Sequence, residues 1–140
     1  VSENIVPLAL NRPDARRLGT AGRPLAPNEV KLADDGEVLV RGPGVFSGYL
    51  FAPADAPSPD AEGWWRTGDL GTIDADGYLA VAGRKGDAFK TATGRWVQPA
   101  AIEDRLTRLP YVVHAAAGGL SRRAPAAVID IDPAAAPDPA

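Results

Sequence analysis

GWWRTGDLGTIDADGYLAVAGRKGDAFKTATGRWVQPAAI, residues 63–102, is the stretch on which the reading of this chain turns. It sets Thr67-Gly68-Asp69, an acidic turn by composition, at the end of an aromatic run. Further on it adds a basic, glycine-broken segment, Gly83-Arg84-Lys85-Gly86-Asp87, between two β-type segments. An ionised carboxylate accepts hydrogen bonds and donates none, so an aspartate fixed in such a turn can take two from neighbouring hydroxyls, such as those of a ribose. A guanidinium downstream can reach the same ligand from another side. Taken alone, Thr-Gly-Asp is a polar turn between strands; the longer combination is what points to a ligand.

Working outward, 140 residues suffice for an ordinary domain with a core. A composition 45% hydrophobic and 24% charged excludes bulk disorder. A net charge of −3 gives no electrostatic reason to expect nucleic acid. With no cysteine, neither a disulfide nor a thiolate metal site can be built from this chain, and a single histidine with no cysteine beside it argues strongly against a nucleophilic triad or a zinc site. No apolar run approaches the ~20 residues of a membrane span, and no signal-peptide pattern opens the chain, so a soluble cytoplasmic protein, or part of one, is expected, with peripheral membrane attachment left open. The 15 glycines and 14 prolines fall between short β-type runs, which predicts many short strands joined by tight turns and a mostly β, α+β fold. Residues 132–140, DPAAAPDPA, read as a tail with nothing to bury.

Val1, Ser2, Glu3 and Asn4 read as a frayed terminus, and 16–27 as loop with short extended pieces. Alternation over 29–32 and 37–40 around Asp34-Asp35-Gly36 predicts a hairpin, with one face buried and the other, carrying Glu29, Lys31 and Glu37, wet. RGPGVFSGYL, 41–50, has neither phosphate-loop spacing nor a following helix; its glycines bend a strand while Val45, Phe46 and Tyr49 pack. Residues 51–62 form a surface loop, Trp64 and Trp65 pack into the core, and 74–77 make a hairpin turn rather than a calcium loop. Residues 89–97 suggest a second hairpin. Residues 99–109 suggest a helix that starts at Pro99, stops at Pro110 and turns its charges to solvent. Strands over 111–117 and 126–131 follow, with His114 an ordinary strand residue lacking a carboxylate nearby in sequence.

GWWRTGDLG, the DxDGYL hairpin and GRKGDAFKTATGRWVQPAAIE, in that order and spacing, resemble the adenylate-forming superfamily of acyl-CoA synthetases, luciferases and peptide-synthetase adenylation domains. FKTATGRWVQPAAIED is most similar to the long-chain fatty acyl-CoA synthetase branch. The resemblance covers nearly the whole chain. It implies a β-rich, distorted barrel-like end of a large domain over 1–83, a hinge at 84–86, and the first part of an α+β lid over 87–140. It also implies fatty acid, ATP, Mg2+ and coenzyme A as the partners of the full-length enzyme, together with the remainder of that enzyme.

In the same terms Asp69 binds the adenosine ribose and Arg84 contacts ribose or phosphate. Glu3 helps hold the magnesium of MgATP, and Ser2 lies near the phosphates. Gly94 lets backbone approach the pantetheine arm of coenzyme A. Gly86 stands at the pivot, where the family commonly has Asp or Lys. The family's Ser/Thr/Gly-rich phosphate loop and its C-terminal catalytic lysine have no counterpart in these residues, so no catalytic residue is assigned and the 140 residues alone are expected to be inactive. Two other readings stay open: a fatty acyl-AMP ligase serving a carrier protein, and a β-rich interaction module without the chemistry.

Overall fold

The computed structural model describes residues 2–53 and 56–135. They fall into two compact units, one ending at Ala82 and the other beginning at Gly83. The architecture is mostly β, and none of the described helices is long and apolar enough to cross a membrane.

In the first unit β1 (Ala9–Leu10) pairs with β2 (Arg23–Pro24) antiparallel. β3 (Glu29–Leu32), β4 (Glu37–Arg41), β5 (Trp65–Ile73) and β6 (Leu79–Arg84) form a four-stranded sheet in that order. The β3–β4 hairpin has the expected register, Glu29 opposite Arg41. Its turn is closed by Gly36 at φ +81°, a conformation that costs glycine little. β4 lies inside the sheet and is covered on both faces: Val38, Leu39 and Val40 are all buried, alongside Trp64, Trp65, Tyr78 and Leu79. Alternation therefore misplaces Glu37. It shares a face with Leu39 and is 3% exposed, not wet, and its charge is met by Arg66 at 2.9 Å.

Thr67-Gly68-Asp69 is likewise not a turn between strands. It lies within β5, where residues 67–69 stand opposite the single Val38, since Arg66 pairs with Leu39 and Leu70 with Glu37. Gly68 at φ +73° makes this bulge possible. Glu37 Oε1 accepts the Gly68 N–H at 3.0 Å, and the Thr67 hydroxyl donates to the Val38 carbonyl at 2.8 Å. The bulge is thus stitched to β4 on both sides.

The β5–β6 turn has the expected form. Asp74 Oδ1 accepts the N–H groups of Asp76 and Tyr78 at 3.0 and 2.9 Å. Arg17 pairs with Asp74, donates to Asp76 at 2.6 Å, and lies 4.4 Å over the Tyr78 ring. The Tyr78 N–H, and after it Arg17, hold the Asp74 carboxyl below its ordinary value against the opposing effect of desolvation. A depressed folded-state pKa gives stability that is present above the unfolded value of about 3.9 and lost as pH falls through the folded value. Asp74→Asn should therefore flatten the decline in melting temperature below about pH 4. An unchanged acid limb would refute that assignment.

In the second unit β7 (Phe89–Lys90) and β8 (Trp96–Val97) form the expected hairpin, with Phe89 and Thr91 buried. α1 (Pro99–Leu106) begins at its proline but ends three residues short of Leu109. The residue before a proline avoids helical backbone, so Pro110 ends the helix early; the Thr107 hydroxyl donates back to Glu103 O at 3.0 Å. Not all of the helix charges face solvent: Glu103 accepts the Ala117 N–H at 2.8 Å. β9 (Val112–Gly118) pairs antiparallel with β10 (Ala126–Ile131). That register brings Asp130 to His114, 3.2 Å away, so the histidine does have a carboxylate neighbour, on an exposed face. Of the Pro/Ala tail, residues 136–140 lie outside the described residues, as do Val1 and positions 54 and 55 of the 51–62 loop.

Candidate functional site

The bulge in β5 opens onto a cavity of about 390 Å³ within the first unit. Its walls are aliphatic, from Ile5, Leu8, Val38 and Leu79 among others, and Asp69 is the one ionisable residue among those lining it. The Asp69 N–H donates to Thr67 Oγ1 at 3.1 Å, which fixes the backbone from which the carboxylate projects. A volume in this range suits a small-molecule body, and a single carboxylate on an apolar wall is suited to fixing its hydroxyl donors.

Asn4 and the residues after it form part of this wall, so Asn4 at least is not frayed. Asn4 is 6% exposed and bridges Val45, while Ile5 N–H donates to Gly44 O at 2.9 Å. Asn4 lines the cavity, and its Oδ1 is buried without a hydrogen-bond partner among the described residues. Glu3, next to it, is half-buried: its carbonyl accepts Phe46 N–H at 2.9 Å, and its Oε1 accepts the Tyr49 hydroxyl at 2.6 Å. That hydrogen bond, aided by desolvation and the charge of Glu3, pushes the Tyr49 pKa above its ordinary value, so the phenol keeps its proton and donates. Ser2 is exposed. Tyr49 is not packed inside as expected; the residue is 54% exposed, its ring in an edge contact with Phe46.

The structure thus brings Asp69 to the wall formed by the residues that follow Glu3. Arg84, Gly86 and Gly94 belong to the second unit. The Arg84 carbonyl accepts Gln98 Nε2 at 2.8 Å just before a 3-10 turn, Lys85–Asp87. Gly86 sits in that turn with open space where a Cβ would project. Gly94 closes the β7–β8 loop at φ +83°, its N–H donating to Thr91 O. Among the described residues no group of three or more His, Cys, Asp or Glu could hold a metal ion. Sequence reasoning missed Asn4, Glu37 and Tyr49. Only for Asn4 was a local signal present, its place directly after Glu3.

No family model matches the chain. It is 40% identical over 135 residues to the long-chain-fatty-acid–CoA ligase FadD15 of Mycobacterium bovis, an alignment covering 96% of this chain and 22% of that protein. Among solved structures it superposes on the anthranilate CoA ligase AuaEII in complex with anthranoyl-AMP, with a TM-score of 0.81 and 33% identity over 95% of this chain and 28% of that one. It also superposes on the o-succinylbenzoate coenzyme A synthetase of Bacillus subtilis in complex with ATP and magnesium ion, with a TM-score of 0.70 and 31% identity over 82% of this chain and 26% of that one. The chain spans about a fifth of the length of the curated relatives it matches. With identity of this order running through both units, the chain belongs to the adenylate-forming superfamily, among its acyl- and aryl-CoA ligases.

Proposed function

We propose that these residues serve an ATP-dependent ligase that joins a long-chain fatty acid to coenzyme A through an acyl adenylate. The observation that carries the reading is the Asp69 carboxylate, set by a glycine bulge on the wall of a cavity in which it is the one ionisable lining residue. In the first step the acid's carboxylate oxygen attacks the α-phosphate of ATP and pyrophosphate leaves; in the second the thiol of coenzyme A displaces AMP. Such phosphate chemistry needs positioning and charge neutralisation. Asp69 accepts the ribose hydroxyls, Arg84 contacts ribose or phosphate, and Ser2 lies near the phosphates.

Magnesium fits the donor set here: it is commonly held by one or two carboxylates plus substrate phosphates and water, and Glu3 supplies one carboxylate. When bound, the ion neutralises phosphate charge. Residues 84–86 are the hinge, and Gly86, with no atom near its missing Cβ, can take up the backbone change of a rotating lid. Gly94, where a Cβ would meet only the far end of the Lys90 side chain at 3.9 Å, lets the pantetheine arm approach backbone. The chemistry is that of a protein in the cytoplasm or peripheral to the membrane.

The test is ATP–pyrophosphate exchange and thioester formation. The 140 residues alone should show neither, lacking a phosphate loop and any lysine after Asp132. Grafted in place of the matching segment of FadD15, they should sustain both with a long-chain acid and coenzyme A. Exchange by the isolated chain would overturn the inactivity. Transfer to a carrier protein's pantetheine in preference to coenzyme A would identify an acyl-AMP ligase instead.

A further inference from the structure

Glu3 is held at both ends by one short segment, VFSGYL, residues 45–50. Phe46 N–H binds its carbonyl and the Tyr49 hydroxyl binds its carboxylate. The rings that set Tyr49 in place lead to the core: Tyr49 stands edge-on to Phe46 with centroids 4.8 Å apart, Phe46 edge-on to Trp65 at 4.9 Å, and Trp65 is buried. Residues 45–50, read from sequence as part of a bent, packed strand, lie outside the sheets apart from the Asn4–Val45 bridge, and they support an acidic side chain forty-odd positions earlier, from Tyr49 to Glu3. An unsupported glutamate side chain can turn freely about its side-chain bonds. A short, charge-assisted hydrogen bond to one oxygen removes most of that freedom.

From this geometry we infer that Tyr49 is a positioning residue for Glu3, anchoring its carboxylate in place to ligate a divalent cation. The inference rests on the reading of Glu3 as the cation's protein ligand. Ligating carboxylates are ordinarily fixed by such outer hydrogen bonds, and losing one weakens metal affinity by about 10-fold or more. Tyr49 makes no contact of its own with the cation; it acts through Glu3, and Phe46 acts through Tyr49.

The test uses the full-length protein with Mn2+ as the probe and a non-hydrolysable ATP analogue, reading free Mn2+ by electron paramagnetic resonance. Tyr49→Phe keeps the ring and its edge contact, so the fold is retained; it should weaken Mn2+ binding by about 10-fold. In turnover it should raise the Mg2+ concentration needed for half-maximal rate while leaving the rate at saturating Mg2+ nearly unchanged. Phe46→Leu, which keeps the hydroxyl but removes its ring support, should give a smaller loss of the same kind. Glu3→Gln separates the two claims. If Glu3→Gln abolishes the Mn2+ response and Tyr49→Phe leaves it at the wild-type value, the positioning role is overturned and the ligand reading stands. If Glu3→Gln itself leaves Mn2+ affinity unchanged, the ligand reading fails and the inference with it.

Discussion

Replacing Trp65 with alanine is expected to destabilise the first unit by about 3–5 kcal/mol, the range for truncating a buried tryptophan. Trp65 is 4% exposed, sits opposite Val40 across the β4–β5 pairing, and meets the edge of Phe46. Alanine leaves a cavity between these groups that β4, itself covered on both faces, cannot collapse to fill. Domains of this size have stabilities on the order of 10 kcal/mol, so such a loss removes a large part of the total. Arg66, the next residue, leads into the bulge that carries Asp69, so the site should loosen with the core. Trp96→Ala is the matched control: its side chain is 67% exposed, and its removal should cost no more than about 0.5 kcal/mol. Urea unfolding followed by far-UV circular dichroism compares the two. A cost below about 1 kcal/mol for Trp65→Ala would contradict the packing described here.

How far the sequence could be read depended on how far away the deciding partner lay. The 29–41 hairpin and the 74–77 turn are specified by residues within a few positions of one another, and both form as expected. Glu37 could not be placed that way. Alternation identifies two faces of a strand but not whether both are covered, and β5, which covers the second edge of β4, lies some thirty residues on, with Arg66 and Gly68 satisfying Glu37. The same distance hid the character of Thr67-Gly68-Asp69. A positive-φ glycine serves a turn and a bulge equally well, and only the register against Val38 distinguishes them. His114 needed the β9–β10 register before its carboxylate neighbour could be named. In the candidate site, Asp69 stood out by its local chemistry. Tyr49 did not, because its contact with Glu3 depends on how 45–50 folds back over the start of the chain. The roles given to Ser2, Arg84, Gly86 and Gly94 come from family motifs, since their local structure is compatible with several uses.

Asp69→Ala should have the largest functional effect of any substitution considered. A hydrogen bond to a charged acceptor contributes about 1.5–3 kcal/mol, and two of them from a ribose diol, allowing for non-additivity, amount to a loss of about 100-fold in affinity. Asp69→Asn retains one acceptor oxygen of similar shape without the charge, and should fall between the variants at about 10-fold. Neither change removes a buried apolar group, and Glu37 and Thr67 hold the bulge to β4, so the fold should persist. The same loss should appear in ATP–pyrophosphate exchange, because a nucleotide that is not gripped is not positioned for attack.

The central question is whether the carboxylate of Asp69 holds a nucleotide by its sugar. Calorimetric titration of AMP and of 2′,3′-dideoxy-AMP into the full-length protein and its Asp69→Ala variant measures this directly. Wild type should prefer AMP by about 100-fold, and the variant should bind both weakly and without distinction. Equal AMP affinity in wild type and variant, or a variant that still discriminates between the two nucleotides, would contradict it.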